Sequence, residues 1–140
     1  MQMQNKLIDS ILVVDDDETA LDVTVSLLEE TGYSVIPCSD GIEAINKIKE
    51  ENVDVVLSDI RMPNISGIDL LKKINDYNSD VPVILMTGYA DLDIAIEAIK
   101  RGAYDFITKP YQLESLQHSI ERAVRYYSLV KKEKRYKDLL

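Results

Sequence analysis

Five short apolar runs, each followed by a segment with helical spacing, limit what this 140-residue chain can fold into. The runs are Ile11-Leu12-Val13-Val14, Ser34-Val35-Ile36-Pro37, Val53 to Asp59, Pro82-Val83-Ile84-Leu85-Met86 and Ala103-Tyr104-Asp105-Phe106-Ile107. The first, third and fourth are almost uniformly apolar, as strands covered on both faces must be. Pro37 cannot donate to a ladder, so the second belongs at a sheet edge. Between the strands, Leu21, Val25 and Leu28 recur at helical spacing, with Asp17 placed to cap the start and Gly32 to close the end. Asp40 and Glu43 form a capping-box signature before Ala44, Ile45 and Ile48. A Pro63–Gly67 loop leads to a helix carrying Ile68, Leu71 and Ile74. The next begins near Asp91 and is expected to bury Ala95, Ala98 and Ile99, closing at Gly102. The last starts near Gln112.

Strand followed by helix, five times over, predicts an α/β fold with a parallel sheet and helices on both faces. The doubly wound, flavodoxin-like order 2-1-3-4-5 puts the apolar strands inside and the proline strand outside, with five helices, the last one extended. Its switch point lies between strands one and three. Asp15 and Asp16 end the first of these and Asp59 ends the third, so three carboxylates gather at one sheet edge.

Such a cluster repels itself unless a cation holds it. Oxygen ligands in a solvent-open crevice favour Mg²⁺. Thr87 and Lys109, at the ends of strands four and five, bring a hydroxyl and an ammonium to the same edge. Together these groups suit phosphoryl transfer, with a carboxylate as nucleophile.

At these residues the chain resembles a response-regulator receiver domain, most closely those of the nitrogen-regulation type and those joined to sensor kinases. The likeness covers roughly Ile11 to Ala123. It rests on Asp15-Asp16, Asp59-Ile60-Arg61-Met62-Pro63, Thr87, Phe106 and Lys109-Pro110. The resemblance implies that Asp59 accepts a phosphoryl group from a histidine kinase. It implies Mg²⁺ held by Asp16, Asp59 and the backbone carbonyl of Arg61, with Asp15 acting through water. Lys109 would pair with phosphoryl oxygens and Thr87 would swing in to hydrogen-bond one. Phe106 would be the aromatic switch of a face made of the fourth helix, fifth strand and fifth helix, and Lys109–Pro110 a cis peptide. Arg61 and Tyr89 match positions that tune phosphate lifetime, and large side chains there would slow hydrolysis. The chain would then be a signalling protein of bacterial two-component systems, not a turnover enzyme. It would control an output domain or partner, or act as a stand-alone relay or docking receiver. Dimerisation through the fourth-helix to fifth-helix face or the tail is expected.

The organisation expected is an N-terminal tail at 1–9, a receiver domain at 10–124 and a helical extension at 125–140. Leu113, Leu116, Ile120, Ala123, Tyr127 and Val130 keep the spacing of a seam, which then meets Lys134 and Lys137. The extension reads either as a solvated, partly frayed helix end or as a signalling helix that pairs with its copy or runs into an output domain. A balance of 25 acidic against 16 basic residues, net −9, opposes direct nucleic-acid binding. One cysteine, no apolar leader and no membrane-length run point to the cytoplasm, without a membrane partner.

Single residues have plainer readings. Asp17 caps a helix, Cys38 ends a strand, and His118 sits on the surface. Thr87, Lys109 and Phe106 would each be unremarkable alone. The competing enzyme reading takes Asp15-Asp16-Asp17-Glu18-Thr19 as a haloacid-dehalogenase-like phosphatase motif, with Asp15 as nucleophile and Asp17 as general acid. Only Glu114 and Glu121, inside a helix, are available as its later acidic pair.

Overall fold

The computed structural model describes residues 8–140, so the expected tail at 1–9 falls, through residue 7, outside the described residues. The strands are β1 (Ser10–Val14), β2 (Ser34–Cys38), β3 (Val55–Asp59), β4 (Val83–Thr87) and β5 (Asp105–Thr108). The helices are α1 (Glu18–Glu30), α2 (Gly41–Glu50), α3 (Gly67–Tyr77), α4 (Leu92–Lys100) and α5 (Leu113–Leu139). All strands are parallel, in the order β2-β1-β3-β4-β5. The expected fold is the one observed.

Alternate residues of the central strands face opposite layers. Leu12, Val14, Val56 and Leu85 join Ala44, Ile48, Leu70, Leu71, Ile74, Ala95 and Ala98, so one face carries α2, α3 and α4. Ile11, Val13, Val55, Leu57, Ile84 and Met86 join Leu21, Leu28, Leu116, Ile120 and Ala123, so the other carries α1 and α5. Burial on both faces explains why these strands show no polar alternation. Pro37 pairs with Val13 from the edge strand, where its missing N–H costs no ladder bond.

Local signals act as their chemistry requires. Asp17 Oδ1 accepts from the amides of Thr19 and Ala20 and caps α1. Gly32 has φ +99, the left-handed conformation that glycine adopts without a steric penalty. Asp40 accepts from the Glu43 amide, while Glu43 reaches back to the Ser39 amide rather than to Asp40. One expectation fails. Ile99 is 39% exposed, because α4 meets the sheet through the small Ala95 and Ala98 and turns its isoleucines outward.

Helix α5 is continuous for 27 residues, and the inward part of its seam is used by the domain itself. Leu116, Ile120 and Ala123 are core, Tyr127 packs against the other layer, and Leu113 is 42% exposed. Beyond the core the attachment becomes ionic. Lys131 Nζ lies 3.3 Å from Asp54 and 4.5 Å from the Tyr127 ring centroid, and Lys134 pairs with Asp80. These anchors sit at the amino-terminal edge of the sheet, because Asp54 precedes β3 and Asp80 precedes β4.

Candidate functional site

The opposite edge carries the chemistry. Register places Val14 beside Ser58, Asp59 beside Met86, and Thr87 beside Thr108. The residues that end these strands or follow them therefore converge. Asp15 is fully buried, and its amide donates to the Cys38 carbonyl at 3.1 Å. Its Oδ1 accepts from the Asp17 amide at 3.0 Å and its Oδ2 from Lys109 Nζ at 2.8 Å. Lys109 Nζ also donates to Asp59 Oδ2 at 3.2 Å. The Lys109 amide donates to the Thr87 carbonyl at 2.7 Å, which ties the end of β5 to the end of β4. Lys109–Pro110 is cis.

Electrostatics follow from this crowding. Burial pushes the Asp59 carboxyl above the usual carboxylate range; Lys109 opposes the rise, while Asp15 and Asp16 add to it. Burial acts against the Lys109 ammonium, yet its bonds and charge contacts with Asp15 and Asp59 carry its pKa above the ordinary lysine value. One oxygen from each of Asp15, Asp16 and Asp59 falls within a 4.8 Å cluster. Both Asp15 oxygens have protein donors, whereas Asp16 is exposed. The donor set is all oxygen and self-repelling, and it fits a hard divalent cation that retains waters.

The other expected residues take definite positions. Thr87 is 1% exposed, and its hydroxyl donates to the Gly88 carbonyl at 3.0 Å. Phe106 is half-buried against the core. Tyr89 is 74% exposed. Cys38 is buried, and burial, with Glu43 beside it, pushes its thiol up to about 12. His118 is exposed. The phosphatase motif is not assembled, since Asp17 is spent on its cap and Glu114 and Glu121 lie exposed on α5.

Two contributors escaped the sequence reading. The first is the reason for Gly67. A Cβ there would lie 2.9 Å from the Ile60 Cα and nearer still to the Asp59 carbonyl oxygen. The chain leaves β3, passes Asn64 at φ +68, and returns so that the Gly67 amide donates to the Ile60 carbonyl at 2.8 Å. Only glycine permits that return directly beneath the Asp59 backbone. The second is Asp91. Arg61 Nε and Nη2 donate to its two oxygens, each at 2.6 Å, a bidentate pair joining the loop after Asp59 to the start of α4. Hydrogen bonding to Arg61 holds the Asp91 carboxyl below its usual range. Only the spacing of Arg61 from Asp59 was visible in sequence; the identity of its partner depends on tertiary packing.

Comparison with known proteins gives a consistent picture. The family model described as "Response regulator receiver domain" matches residues 11–121. The transcriptional regulatory protein ZraR of Klebsiella oxytoca is 40% identical over 119 residues, covering 85% of this chain and 27% of that protein. The DNA-binding transcriptional regulator NtrC of Escherichia coli K12 is 37% identical, covering 84% of this chain and 25% of that protein. The chain thus spans about a quarter of the length of these relatives. Among solved structures, a response regulator receiver domain protein from Clostridium thermocellum has a TM-score of 0.85 at 36% identity, covering 88% of this chain and 99% of that one. The receiver domain of NtrX from Brucella abortus has a TM-score of 0.79 at 32% identity, covering 82% and 98%.

Proposed function

The chain belongs to the response regulator receiver domain family, and we propose that it takes a phosphoryl group onto Asp59 from a histidine kinase. The observation that carries this reading is Lys109 Nζ bridging Asp15 and Asp59 at 2.8 and 3.2 Å, beside the three-carboxylate cluster. In the transfer, the P–N bond of a phosphohistidine breaks as a P–O bond forms to an Asp59 oxygen, and the imidazole keeps the electron pair. The Asp59 carboxylate is the nucleophile. The Lys109 ammonium is positioned to follow the charge from the carboxylate to the phosphoryl oxygens. Asp16, Asp59 and the Arg61 carbonyl would hold Mg²⁺, with Asp15 acting through water. When bound, Mg²⁺ supplies positive charge to the carboxylates and the phosphoryl oxygens.

After transfer, Thr87 exchanges its bond to the Gly88 carbonyl for one to a phosphoryl oxygen, and Phe106 turns into the space it leaves. The face that responds is α4, β5 and α5. Supporting that choice, Ile94, Ile96 and Ile99 are 44%, 50% and 39% exposed, more apolar surface than α4 needs for its own packing. This face, or the α5 extension, docks an output domain, a partner or a second copy. The domain is a signalling element of the cytoplasm and performs only its own phosphorylation and dephosphorylation. Among the described residues no helix is long and apolar enough to cross a membrane.

Intact mass after incubation with a small acyl-phosphate donor and Mg²⁺ tests the reading. One phosphoryl addition, lost in Asp59→Asn and under chelation, is expected. Hydrolysis of a generic phosphate ester that depends on Asp15, with no addition, would replace it with the phosphatase.

A further inference from the structure

Asp91 stands at the N-cap position of α4, where an aspartate ordinarily accepts from the helix's free amides. It does not do so: α4 has no side-chain cap bond, and both Asp91 oxygens are given to Arg61. The carboxylate is 6% exposed, while the guanidinium holding it is 74% exposed. Helix α4 is nine residues long and buries only Ala95 and Ala98. Its first turn is held to the body by the packing of Ala95 and by this pair, 30 residues apart in sequence.

Arg61 lies two residues after Asp59 and lines the same cavity, about 500 Å³, as Asp16 of the carboxylate cluster and Ile94 of α4. The guanidinium thus reaches from the acceptor side of the molecule to α4. We propose that the Arg61–Asp91 pair is a latch, holding the first turn of α4 to the acceptor loop while Asp59 is unmodified and releasing it when Asp59 carries a phosphoryl group. The inference rests on the phosphoacceptor reading above.

The latch is bistable because both members have a second partner. Arginine carries five N–H donors and Asp91 uses two of them. A phosphoryl group brings close to two negative charges and three strong acceptor oxygens to the loop that carries Arg61. Asp91 has φ −112 and ψ 15, so once released it can cap the α4 amides by moving to the extended backbone that the caps of α1, α2 and α3 show, a change at the start of α4 itself. Each state thus satisfies the carboxylate, as a two-state element requires. Asp91 acts here as a positioning residue, with no contact to the reacting atoms.

The test is the amide NMR spectrum of the full chain, before and after acyl phosphate and Mg²⁺, with intact mass recorded on the same samples. Ala95–Ile99, beyond the substituted side chains, are the reporters. In unmodified Asp91→Asn and Arg61→Gln, these peaks are expected to move along the line joining unmodified and phosphorylated wild type, covering at least about half of it, a population shift of severalfold or more. The double variant is expected to move no further than either single one. Lys47→Gln, which breaks the exposed pair with Glu51 at the end of α2, is expected to leave them in place. Peaks that stay put in both single variants, leave that line, or move additively in the double variant would overturn the latch, even with normal phosphoryl addition by mass. Absence of phosphoryl addition to wild type would remove the phosphoacceptor reading and the release step with it.

Discussion

Lys109 Nζ lies 2.8 Å from Asp15 and 3.2 Å from Asp59, so the carboxylate that holds it most closely is the one with no solvent exposure, not the acceptor. The ammonium is therefore a structural counter-ion before it is a phosphate ligand. In Lys109→Met, Asp15 would stay buried with one oxygen unanswered and two carboxylates beside it. A cost of about 2–3 kcal/mol is expected in metal-free buffer, below the full penalty for a broken buried pair because Lys109 is partly exposed. Urea unfolding measures the loss. A variant as stable as wild type would mean that water satisfies the Asp15 oxygen in place of the ammonium.

Gly67 should tolerate nothing larger. Its would-be Cβ meets backbone, the Asp59 carbonyl and the Ile60 Cα, neither of which can rotate away. Alanine is the better helix former by about 1 kcal/mol, but overpacking against fixed atoms costs on the order of 1–3 kcal/mol and displaces Asp59. Gly67→Ala is expected to lose both stability and phosphoryl uptake. Gly88→Ala, with nothing within 4 Å and no positive φ, should stay within about 0.5 kcal/mol of wild type. Equal melting temperatures for the two variants would contradict the steric argument.

Much of this was legible because it is local or periodic. The apolar runs gave the strands, Pro37 marked the edge, Asp17 capped α1, and the strand-end positions of Asp15, Asp59, Thr87 and Lys109 assembled the site through topology alone. What escaped depends on packing between distant segments. Ile99 has helical spacing with Ala95 and Ala98, and period cannot tell that two alanines suffice for a helix pressed closely on the sheet. Arg61 finds Asp91 only because α4 starts beside the acceptor loop. Tyr127 and Lys134 looked like a fading seam, and they find Asn78 and Asp80, as Lys131 finds Asp54, only once the amino-terminal edge of the sheet exists.

That attachment predicts a salt-sensitive helix end. Residues 131–140 are all exposed, and Lys131 and Lys134 tie them to the body through Asp54 and Asp80. Asp54 is buried, but both lysine side chains are largely exposed, so the pairs are screened at high ionic strength. Raising NaCl to about 0.5 M, where the Debye length falls to a few ångströms, should speed amide exchange over 131–139 severalfold and leave 116–123 unchanged. A uniform response along α5 would show that the ionic contacts do not set the stability of its end.

Cys38 should be inert while the chain is folded. Alkylation needs the thiolate, and a thiol pushed up to about 12 is only about 0.01% ionised at pH 8. Because the folded-state value lies above the ordinary one, the rate should keep rising about tenfold per pH unit through pH 9 and 10, where an exposed thiol already levels off. Iodoacetamide labelling followed by mass measures it, with urea-unfolded chain as the reference. Rapid labelling of the folded chain at pH 8 would place Cys38 at the surface.

Asp17 separates the two chemistries that the aspartate-rich turn could serve. As a phosphatase general acid it would be indispensable, and its removal would abolish turnover. In the fold observed, its Oδ1 accepts from the Thr19 and Ala20 amides at 3.0 and 3.2 Å, a cap whose loss costs about 1 kcal/mol. Asp17→Ala is therefore expected to lower the melting temperature by several degrees, as a domain of this size responds to such a loss. Phosphoryl uptake at Asp59 should stay within about twofold, since the Asp17 side chain contributes no oxygen to the cluster of Asp15, Asp16 and Asp59. The one variant separates the two readings. Lost hydrolysis of a phosphate ester at unchanged stability would place Asp17 in the chemistry, whereas lost stability with retained uptake at Asp59 leaves it as the cap that positions the turn carrying Asp15 and Asp16.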